Sequence, residues 1–298
     1  MESGLDARQV QHFRDEGYLI VRDLLPPEAL QEFITELEVK VEEAVREAVD
    51  TGCLAASDTF PDAPFDQRLA LAARACSDHL FFWDRLQGKQ HKTAGMFRLR
   101  TWPSLLDATE SLIGPEIFAH PQTVLRPKLP DLEDGIVPWH QDLAYLKPEE
   151  AGETLVVNFW IPLVDATAEN GCLQVLAGSH RAGLLPHDHR VPRYHGVAEE
   201  DLPAGEVVTC EVAVGDALMT MERLLHRSLP HTTDSVRWSL DTRYSRTGLP
   251  TGRANKPGFI ARSRKNPASV ARSHLDWIRA FEEMGLDWTE KVMPAGKG

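Results

Sequence analysis

The chain has 298 residues, of which 42% are hydrophobic, and this content is enough for a sizeable core in one large or two ordinary domains. The net charge of −13 argues against a general nucleic-acid-binding protein, because binding to phosphates requires cationic side chains. No apolar run reaches the roughly 18 residues of a membrane span, and the first residues lack the features of a secretory signal. We therefore expect a cytoplasmic protein without nucleic-acid or membrane partners.

The four cysteines are Cys53, Cys76, Cys172 and Cys210. They are widely spaced, and no two of them form a CxxC motif. This pattern is typical of reduced thiols in a cytosolic protein and not of a disulfide framework or a zinc site.

The first third of the chain is predicted to be mostly helical. Residues 6–16 are predicted to form a short helix with Asp6 as its N-cap, which Gly17 ends, and a strand follows over residues 18–24. Pro27 begins a long helix that reaches about residue 50, in which apolar residues recur at three- and four-residue steps. Further helices are predicted over residues 67–82, 104–113 and 273–284.

Short strand-like runs separated by turns make up the middle of the chain. They cover residues 123–129, 137–143, 154–160, 207–214, 217–225 and 237–245. Such spacing favours an antiparallel double-sheet barrel over alternating βα units. The sequence therefore predicts one mainly β domain with flanking α-helices. Its parts are a mostly helical N-terminal part (1–114), a barrel core (115–247) and a C-terminal loop and helix (248–298).

A His-x-Asp pair, His140 and Asp142, lies in the predicted strand 137–143. Because alternate residues of a strand point to the same face, the imidazole and the carboxylate should project side by side. His226, at the end of a later strand, would add a second imidazole. Two histidines and one carboxylate on one face are a ligand set suited to non-haem Fe(II), with positions left open for other ligands. The His-x-Asp pair alone is weak evidence for a metal site, because in a chain with 12 His and 45 acidic residues such a pair often arises by chance.

Two alternatives for the metal ligands stay open at this point. His187-Asp188-His189 is a rival pair, and His195 lies nearby, but this long irregular segment has no strand pattern to set its geometry. His231 is a rival for the third ligand, because it lies five residues beyond His226. We interpret His231 more simply as a hydrogen-bond partner near the site.

Several flanking motifs occur in a fixed order around these residues. They are Phe13–Val21, Pro138-Trp139, Asn170-Gly171-Cys172, Gly178-Ser179-His180, His226-Arg227-Ser228 and Arg237. Together they resemble the phytanoyl-CoA dioxygenase family of Fe(II)/2-oxoglutarate oxygenases, and the resemblance runs from about residue 10 to about residue 247. It implies a double-stranded β-helix (jelly-roll) core and the use of Fe(II), 2-oxoglutarate and O2. It also implies oxidation, most simply hydroxylation, of an unactivated C–H bond with release of succinate and CO2.

The resemblance also implies roles for individual side chains. Arg237 would bind the C5 carboxylate of 2-oxoglutarate, because a guanidinium offers a planar fork to a carboxylate, and Ser228 would add a hydroxyl. Arg243 lies on the same strand face and is the rival anchor. The alternation in strand 154–160 places Asn158 and Trp160 on one face, as walls of a pocket. The remaining residues expected to contact the cosubstrate are Gln141 and Lys128, with Arg126 as a further candidate.

Asp142 bears on the reaction outcome. Relatives that halogenate lack this carboxylate, so its presence implies hydroxylation or another oxidation. The alternatives are a metal-dependent hydrolase or isomerase on the same barrel, or a non-catalytic binding protein.

The expected substrate is a small molecule, and a basic segment suggests that it is anionic. Residues 243–275 contain eight Lys or Arg and no acid. This segment would alternatively pair with the acidic face of the helix over 28–50 or contact a second subunit. The sequence does not predict the oligomeric state.

Overall fold

The structure is a computed structural model that describes residues 4–78, 80–88, 91–191 and 194–289. The helices of this part are α1 (Ala7–Glu16), α2 (Pro27–Asp50), α3 (Phe65–Ala75), α4 (Phe81–Leu86), α5 (Ala94–Arg100), α6 (Pro103–Ile113), α7 (Pro148–Ala151) and α8 (His274–Glu283). The strands are β1 (Tyr18–Val21), β2 (Ile117–Ala119), β3 (Val124–Lys128), β4 (Val157–Pro162), β5 (Leu173–Leu176), β6 (Asp188–Val191), β7 (Tyr194–Gly196), β8 (Val207–Cys210), β9 (Ala217–Met221), β10 (His226–Ser228), β11 (Arg237–Arg246) and β12 (Phe259–Arg262).

Two antiparallel sheets carry the fold. The larger has the strand order β1-β9-β4-β11-β2-β12, and β3 also pairs with β11. The smaller has the order β10-β5-β8. Mostly antiparallel sheets with flanking helices confirm the predicted fold class. The ten-residue strand β11 contacts three neighbours, because it pairs with β4 along one edge and with β3 and then β2 along the other.

Residue alternation in β4 separates two groups of apolar side chains. Val157, Phe159 and Ile161 join a large cluster that also contains the buried stripe of α2. Trp160 joins a smaller cluster with residues of β5 and β9, on the other face of the strand. The large cluster extends along the chain from Phe13 to Phe281. The side chains of β4 that face the smaller cluster therefore point to the side of the larger sheet where β10 and β5 lie.

The first predicted helix is confirmed, and the strand predicted over 18–24 is present but ends at Val21. Asp6 accepts hydrogen bonds from the backbone N–H groups of Arg8 and Gln9, and Gln9 bonds back to the Asp6 N–H, so the two form a capping box. Gly17 ends α1 in the left-handed region with φ 79°. No helix of the described residues is long and apolar enough to cross a membrane.

The strands predicted over 207–214 and 217–225 end earlier, at Cys210 and Met221. Two other predicted elements differ in kind from the structure. Residues 137–143 form no regular strand: His140 makes an isolated bridge to His226, and Asp142 begins a 3-10 helix over Asp142–Tyr145. Pro138 has no N–H to donate, which limits the pairing of this segment. The helix predicted over 67–82 is two helices, α3 and α4, because Cys76 has an extended conformation after α3.

The basic segment pairs with a different helix than the α2 partner considered from the sequence. Arg262 Nη1 lies 2.6 Å from Asp107 Oδ1 and 2.8 Å from Glu110 Oε2, both on α6. Arg264 also pairs with Glu110. Three acidic residues of α2 instead bind arginines from other segments, in the pairs Glu32–Arg98, Glu42–Arg68 and Glu47–Arg85.

The expectation of four reduced thiols is wrong for one pair. Cys53 and Cys76 form a disulfide with a Cα–Cα distance of 5.2 Å, whereas Cys172 and Cys210 are free and buried. The two bonded cysteines follow the C-terminal ends of α2 and α3. Their proximity results from the packing of these helices, which cysteine spacing in the sequence does not reveal.

Replacing both Cys53 and Cys76 with serine should lower the free energy of unfolding by about 3 kcal/mol, because the bond closes a loop of 23 residues in the unfolded chain. Urea denaturation of the oxidised protein and of the double variant measures this difference. A reducing agent should destabilise the wild-type protein and leave the double variant unchanged. Equal stability of the two proteins under oxidising conditions would contradict the prediction.

Candidate metal centre

The three predicted metal ligands converge in the structure. His140, Asp142 and His226 are buried, and each offers a ligand atom within 4.8 Å of the other two. Asp142 Oδ1 lies 4.0 Å from His140 Nε2, and Asp142 Oδ2 lies 4.0 Å from His226 Nε2. Among the described residues this is the only group of three such side chains. Two imidazole nitrogens and one carboxylate oxygen are the donors that suit Fe(II).

Backbone hydrogen bonds orient both imidazoles. His140 Nδ1 lies 2.9 Å from the carbonyl of Pro138, and His226 Nδ1 lies 3.0 Å from the carbonyl of Leu224. A carbonyl only accepts, so each Nδ1 carries the hydrogen and each Nε2 keeps its lone pair for a metal. Burial, together with the neighbouring His226, holds the pKa of His140 well below its ordinary value. The His140 ring is therefore in the neutral form that binds metals.

The Asp142 carboxylate is ionised and held at both oxygens. Arg243 Nη2 donates to Oδ1 at 2.6 Å, and Asn158 Nδ2 donates to Oδ2 at 2.7 Å. Burial alone would raise the pKa of Asp142, but the charge of Arg243 holds it below its ordinary value. The guanidinium of Arg243 is thus engaged by Asp142.

Two further buried basic side chains, Arg237 and Lys128, stand directly opposite each other on β11 and β3. Arg237 Nη1 donates to Ser239 Oγ at 3.0 Å, its Nε has no partner, and its guanidinium lies 5.0 Å from the ring centroid of Trp160. Lys128 Nζ donates to Ser228 Oγ and to the carbonyl of Gly135, both at 2.9 Å.

Neither cation has a carboxylate within ion-pair distance among the residues that the structure describes. Burial, followed by the charges of Arg237 and Arg126, lowers the pKa of Lys128 to about 6. A buried guanidinium and a buried amine without a counter-ion form a site that a bound carboxylate would stabilise.

One cavity joins the metal triad to these cations. Its walls include His140, Asp142 and His226 together with the predicted cosubstrate residues Arg237, Lys128, Ser228 and Trp160. The predicted site residue Asn158 is not part of the wall and contacts Asp142 instead. A dicarboxylate with one end at the triad and the other at Arg237 fits this arrangement of donors.

The comparisons with known proteins agree with this site. Residues 13–239 match the model of the family described as phytanoyl-CoA dioxygenase (PhyH). The chain belongs to the PhyH family. It is therefore an Fe(II)/2-oxoglutarate-dependent dioxygenase, and its cofactors are iron, 2-oxoglutarate and O2.

Individual relatives are distant but cover most of the chain. Peroxisomal phytanoyl-CoA dioxygenase from Mus musculus is 25% identical over 249 residues, which are 80% of this chain and 68% of that protein. The 1-deoxypentalenic acid 11-beta-hydroxylase of Streptomyces arenae is 26% identical over 255 residues, which are 80% of this chain and 81% of the hydroxylase.

Solved structures share the fold. The non-heme monooxygenase ThoJ has a TM-score of 0.60 at 21% identity, over 93% of this chain and 94% of that chain. EvdO2 from Micromonospora carbonacea var. aurantiaca, complexed with 2-oxoglutarate, has a TM-score of 0.51 at 24% identity, over 83% of this chain and 94% of that chain.

Gln141 has a different position from the one expected of a cosubstrate ligand. Its side-chain amide nitrogen, Nε2, donates to the carbonyls of Gly183 and Arg223. Its Oε1 accepts from the Leu185 N–H. Its backbone N–H donates to His187 Nε2. The side chain of Gln141 thus joins loops, and it does not line the cavity. The alternation expected for residues 137–143 also predicts that the residue between His140 and Asp142 points away from them.

The rival histidines whose side chains the structure describes do not join the metal group. His187 accepts from Gln141, as described above, and its Nδ1 contacts the carbonyl of Leu185. The side chain of His189 lies outside the described residues. His195 contacts the Tyr145 hydroxyl through its backbone, and His231 Nδ1 accepts from the backbone of Thr233. The ligand group therefore contains neither His187 nor His231.

Several cavity residues were not predicted from the sequence. Trp83 and Gln87 come from α4 and the residue that follows it, and Tyr194 comes from β7. Nothing in the sequence pattern connects these segments with the triad. Asp241 also lines the cavity, and here a signal existed, because it shares a strand face with Arg237.

Gly171, in one of the motifs typical of the family, makes room for Lys128. It has a φ of 83°, in the region that favours glycine. A Cβ at this position would lie 2.5 Å from Lys128 Cε and 2.7 Å from the carbonyl oxygen of Leu229. The preceding Asn170 forms the turn, since its side chain accepts from the Thr167 N–H and donates to the carbonyl of Asp165.

Gly171→Ala should therefore destabilise the protein by about 2–4 kcal/mol, because backbone strain of about 1 kcal/mol adds to overpacking of about 1–3 kcal/mol. Gly248→Ala is the matched control: its φ is 86°, and a Cβ there would meet nothing within 4 Å. Urea denaturation of both variants isolates the steric contribution. Equal losses of stability in the two variants would show that the contact with Lys128 and Leu229 is unimportant.

Proposed function

We propose that His140, Asp142 and His226 hold Fe(II), that Arg237, Lys128 and Ser228 bind the C5 carboxylate of 2-oxoglutarate, and that the enzyme hydroxylates a small molecule. One observation carries this proposal: the triad and the cations that lack a carboxylate partner line the same cavity. When bound, iron with 2-oxoglutarate and O2 supplies the oxidation of a C–H bond, with release of succinate and CO2.

Each chain residue has a distinct part in this arrangement. Arg237 presents a fork of N–H donors that matches a carboxylate, and its unpartnered Nε supports this role. Ser228 and Lys128 add a hydroxyl and an amine, which already contact each other at 2.9 Å. Trp160 lies beside the guanidinium and restricts its movement. Buried walls exclude water, which strengthens each charged contact.

Asp142 supports hydroxylation over halogenation. Its carboxylate fills the ligand position that the halogenating relatives leave free, and both of its oxygens are held by donors. Other oxidative outcomes that begin with removal of the same hydrogen would use the same residues.

The substrate that we infer is a small molecule with an anionic group. Arg126 lines the cavity, and its Nε donates to Asp241 Oδ2 at 2.5 Å. The fork formed by the two terminal nitrogens of Arg126 makes no hydrogen bond to the described residues. The hydroxylase of Streptomyces arenae is named for an acid, which supports the same class of substrate.

A single oxygenase domain and a cytoplasmic location stay predictions. The apolar cluster that extends from Phe13 to Phe281 supports the single domain. The Cys53–Cys76 disulfide counts against a reducing compartment, and the mouse relative is named as peroxisomal.

The direct test is a screen of small carboxylic acids with iron, 2-oxoglutarate and O2, in which mass spectrometry detects the gain of one oxygen. The same panel as methyl esters is the control for the anionic group. We expect products from acids only, with one succinate for each product. Absence of any 2-oxoglutarate turnover, with or without the panel, would refute the proposed activity.

Arg237→Ala should weaken 2-oxoglutarate binding by roughly 10- to 100-fold, because the loss of a charge-assisted, two-point contact costs about 1.5–3 kcal/mol. Calorimetric titration of the metal-loaded protein measures this change. Arg246→Ala is the matched control, since Arg246 ends the same strand but is exposed. Unchanged 2-oxoglutarate affinity in Arg237→Ala would place the anchor elsewhere.

The affinity for 2-oxoglutarate should fall as the pH rises above about 6. Lys128 has a pKa of about 6 in the ligand-free protein, so it is mostly neutral at pH 7. A bound carboxylate favours the charged amine and raises this pKa, so binding takes up a proton, and the affinity decreases by up to about tenfold per pH unit between the two pKa values. Titrations at pH 6, 7 and 8 test the slope. Lys128→Met should flatten it, and an equally steep slope in that variant would assign the proton to another group.

A further inference from the structure

The Asp142 carboxylate receives one hydrogen bond at each oxygen, and both donors come from the larger sheet. Arg243 Nη2 donates to Oδ1 at 2.6 Å, and Asn158 Nδ2 donates to Oδ2 at 2.7 Å. Arg243 and Asn158 are direct partners in the β11–β4 register. A single cross-strand position therefore supplies both donors.

Asp142 itself has no strand to hold it. It is the first residue of a 3-10 helix, two residues beyond the isolated bridge at His140. A carboxylate on such a segment is less precisely placed by its own backbone than one in a regular element, whereas β11 and β4 are long paired strands. The sheet thus compensates for the irregular backbone around the ligand.

We propose that Arg243 and Asn158 are positioning residues that hold the Asp142 carboxylate in the orientation that completes the metal site. The inference rests on the proposed role of the triad and deepens it. Each carboxylate oxygen has two lone-pair sites, so a donor at one site leaves the other for a metal. With a donor on each oxygen the carboxylate cannot rotate freely, and the remaining ligand positions stay available to the cosubstrate.

The location of Arg243 argues against its use as the cosubstrate anchor. Its side chain is 3% exposed, it does not line the cavity, and its Nη1 points to the carbonyl of Gln122 at 3.4 Å. Arg237 occupies the cavity wall instead. The charge of Arg243 also balances a carboxylate that is only 9% exposed before any metal binds.

The sign of the effect on metal affinity separates positioning from charge alone. A guanidinium close to the metal repels it, so a purely electrostatic role predicts that removing Arg243 strengthens metal binding. A positioning role predicts the opposite. Groups that orient a metal ligand typically contribute about 10- to 100-fold to metal affinity.

The experiment uses the full-length protein, freed of metal and titrated with Co²⁺, whose visible absorption reports on its ligands. The variants are Arg243→Met, Arg243→Lys and Asn158→Ala. Arg100→Met is the matched control, because Arg100 is equally buried and bonds to Thr242, next to Arg243, and to the carbonyl of His120. Thermal melting of each metal-free variant records the general loss of stability.

We expect Arg243→Met to bind Co²⁺ at least tenfold more weakly than the wild type, with an altered absorption spectrum. Arg243→Lys should restore most of the affinity, because it keeps one charged donor. Asn158→Ala should lose a few-fold, because it removes a neutral donor. Arg100→Met should melt at a lower temperature than the wild type and keep the wild-type affinity and spectrum.

Three results would overturn the inference. Wild-type Co²⁺ affinity and spectrum in Arg243→Met would make Arg243 a residue of folding stability only, and stronger binding would make its role electrostatic. If Arg243→Met does not fold, wild-type metal binding by both Arg243→Lys and Asn158→Ala would have the same meaning. Failure of the wild-type protein to bind Co²⁺ would instead contradict the proposed metal triad itself.

Discussion

The site depends on one pair of backbone hydrogen bonds between His140 and His226. The N–H of each residue donates to the carbonyl of the other at 3.0 Å. This bridge joins an irregular segment to the smaller sheet and sets the two imidazole rings 4.1 Å apart. The distance suits two ligands of one metal, and no long strand is needed to maintain it. Both the triad and the segment that carries Asp142 are positioned by this contact.

Strand β11 organises the charges of the barrel interior. Arg237, Ser239, Asp241 and Arg243 alternate along one face, and each has a different partner. Arg237 faces Lys128 across the β3 pairing, Asp241 binds Arg126, and Arg243 binds Asp142. Of the three charged residues on this face of β11, Asp241 and Arg243 are thus neutralised by ion pairs within the protein. Arg237 is the exception, and this unbalanced positive charge supports the proposed anion site at one end of the cavity.

The motifs that carry the family resemblance have structural as well as chemical functions. Gly171 creates the space that Lys128 occupies, and Ser228 accepts from both Lys128 and the N–H of Val137. The hydrogen bond from Val137 joins the segment before His140 to the strand that carries His226. Ser228 therefore belongs to the proposed anion site and also supports the metal site.

The sequence by itself determined the class of fold and the three metal ligands, and it made Arg237 the candidate anchor. Donor type and the ordered motifs around His140, Asp142 and His226 indicated the ligands, whereas the role of Arg237 came from the family resemblance. Tertiary structure decided the rest. Contacts between distant segments determine three features: the partner of Arg243, the orientation of Gln141 between two loops, and the Cys53–Cys76 bond. Strand register and helix packing determine which distant segments come into contact, and the spacing of residues within one segment reveals neither of them.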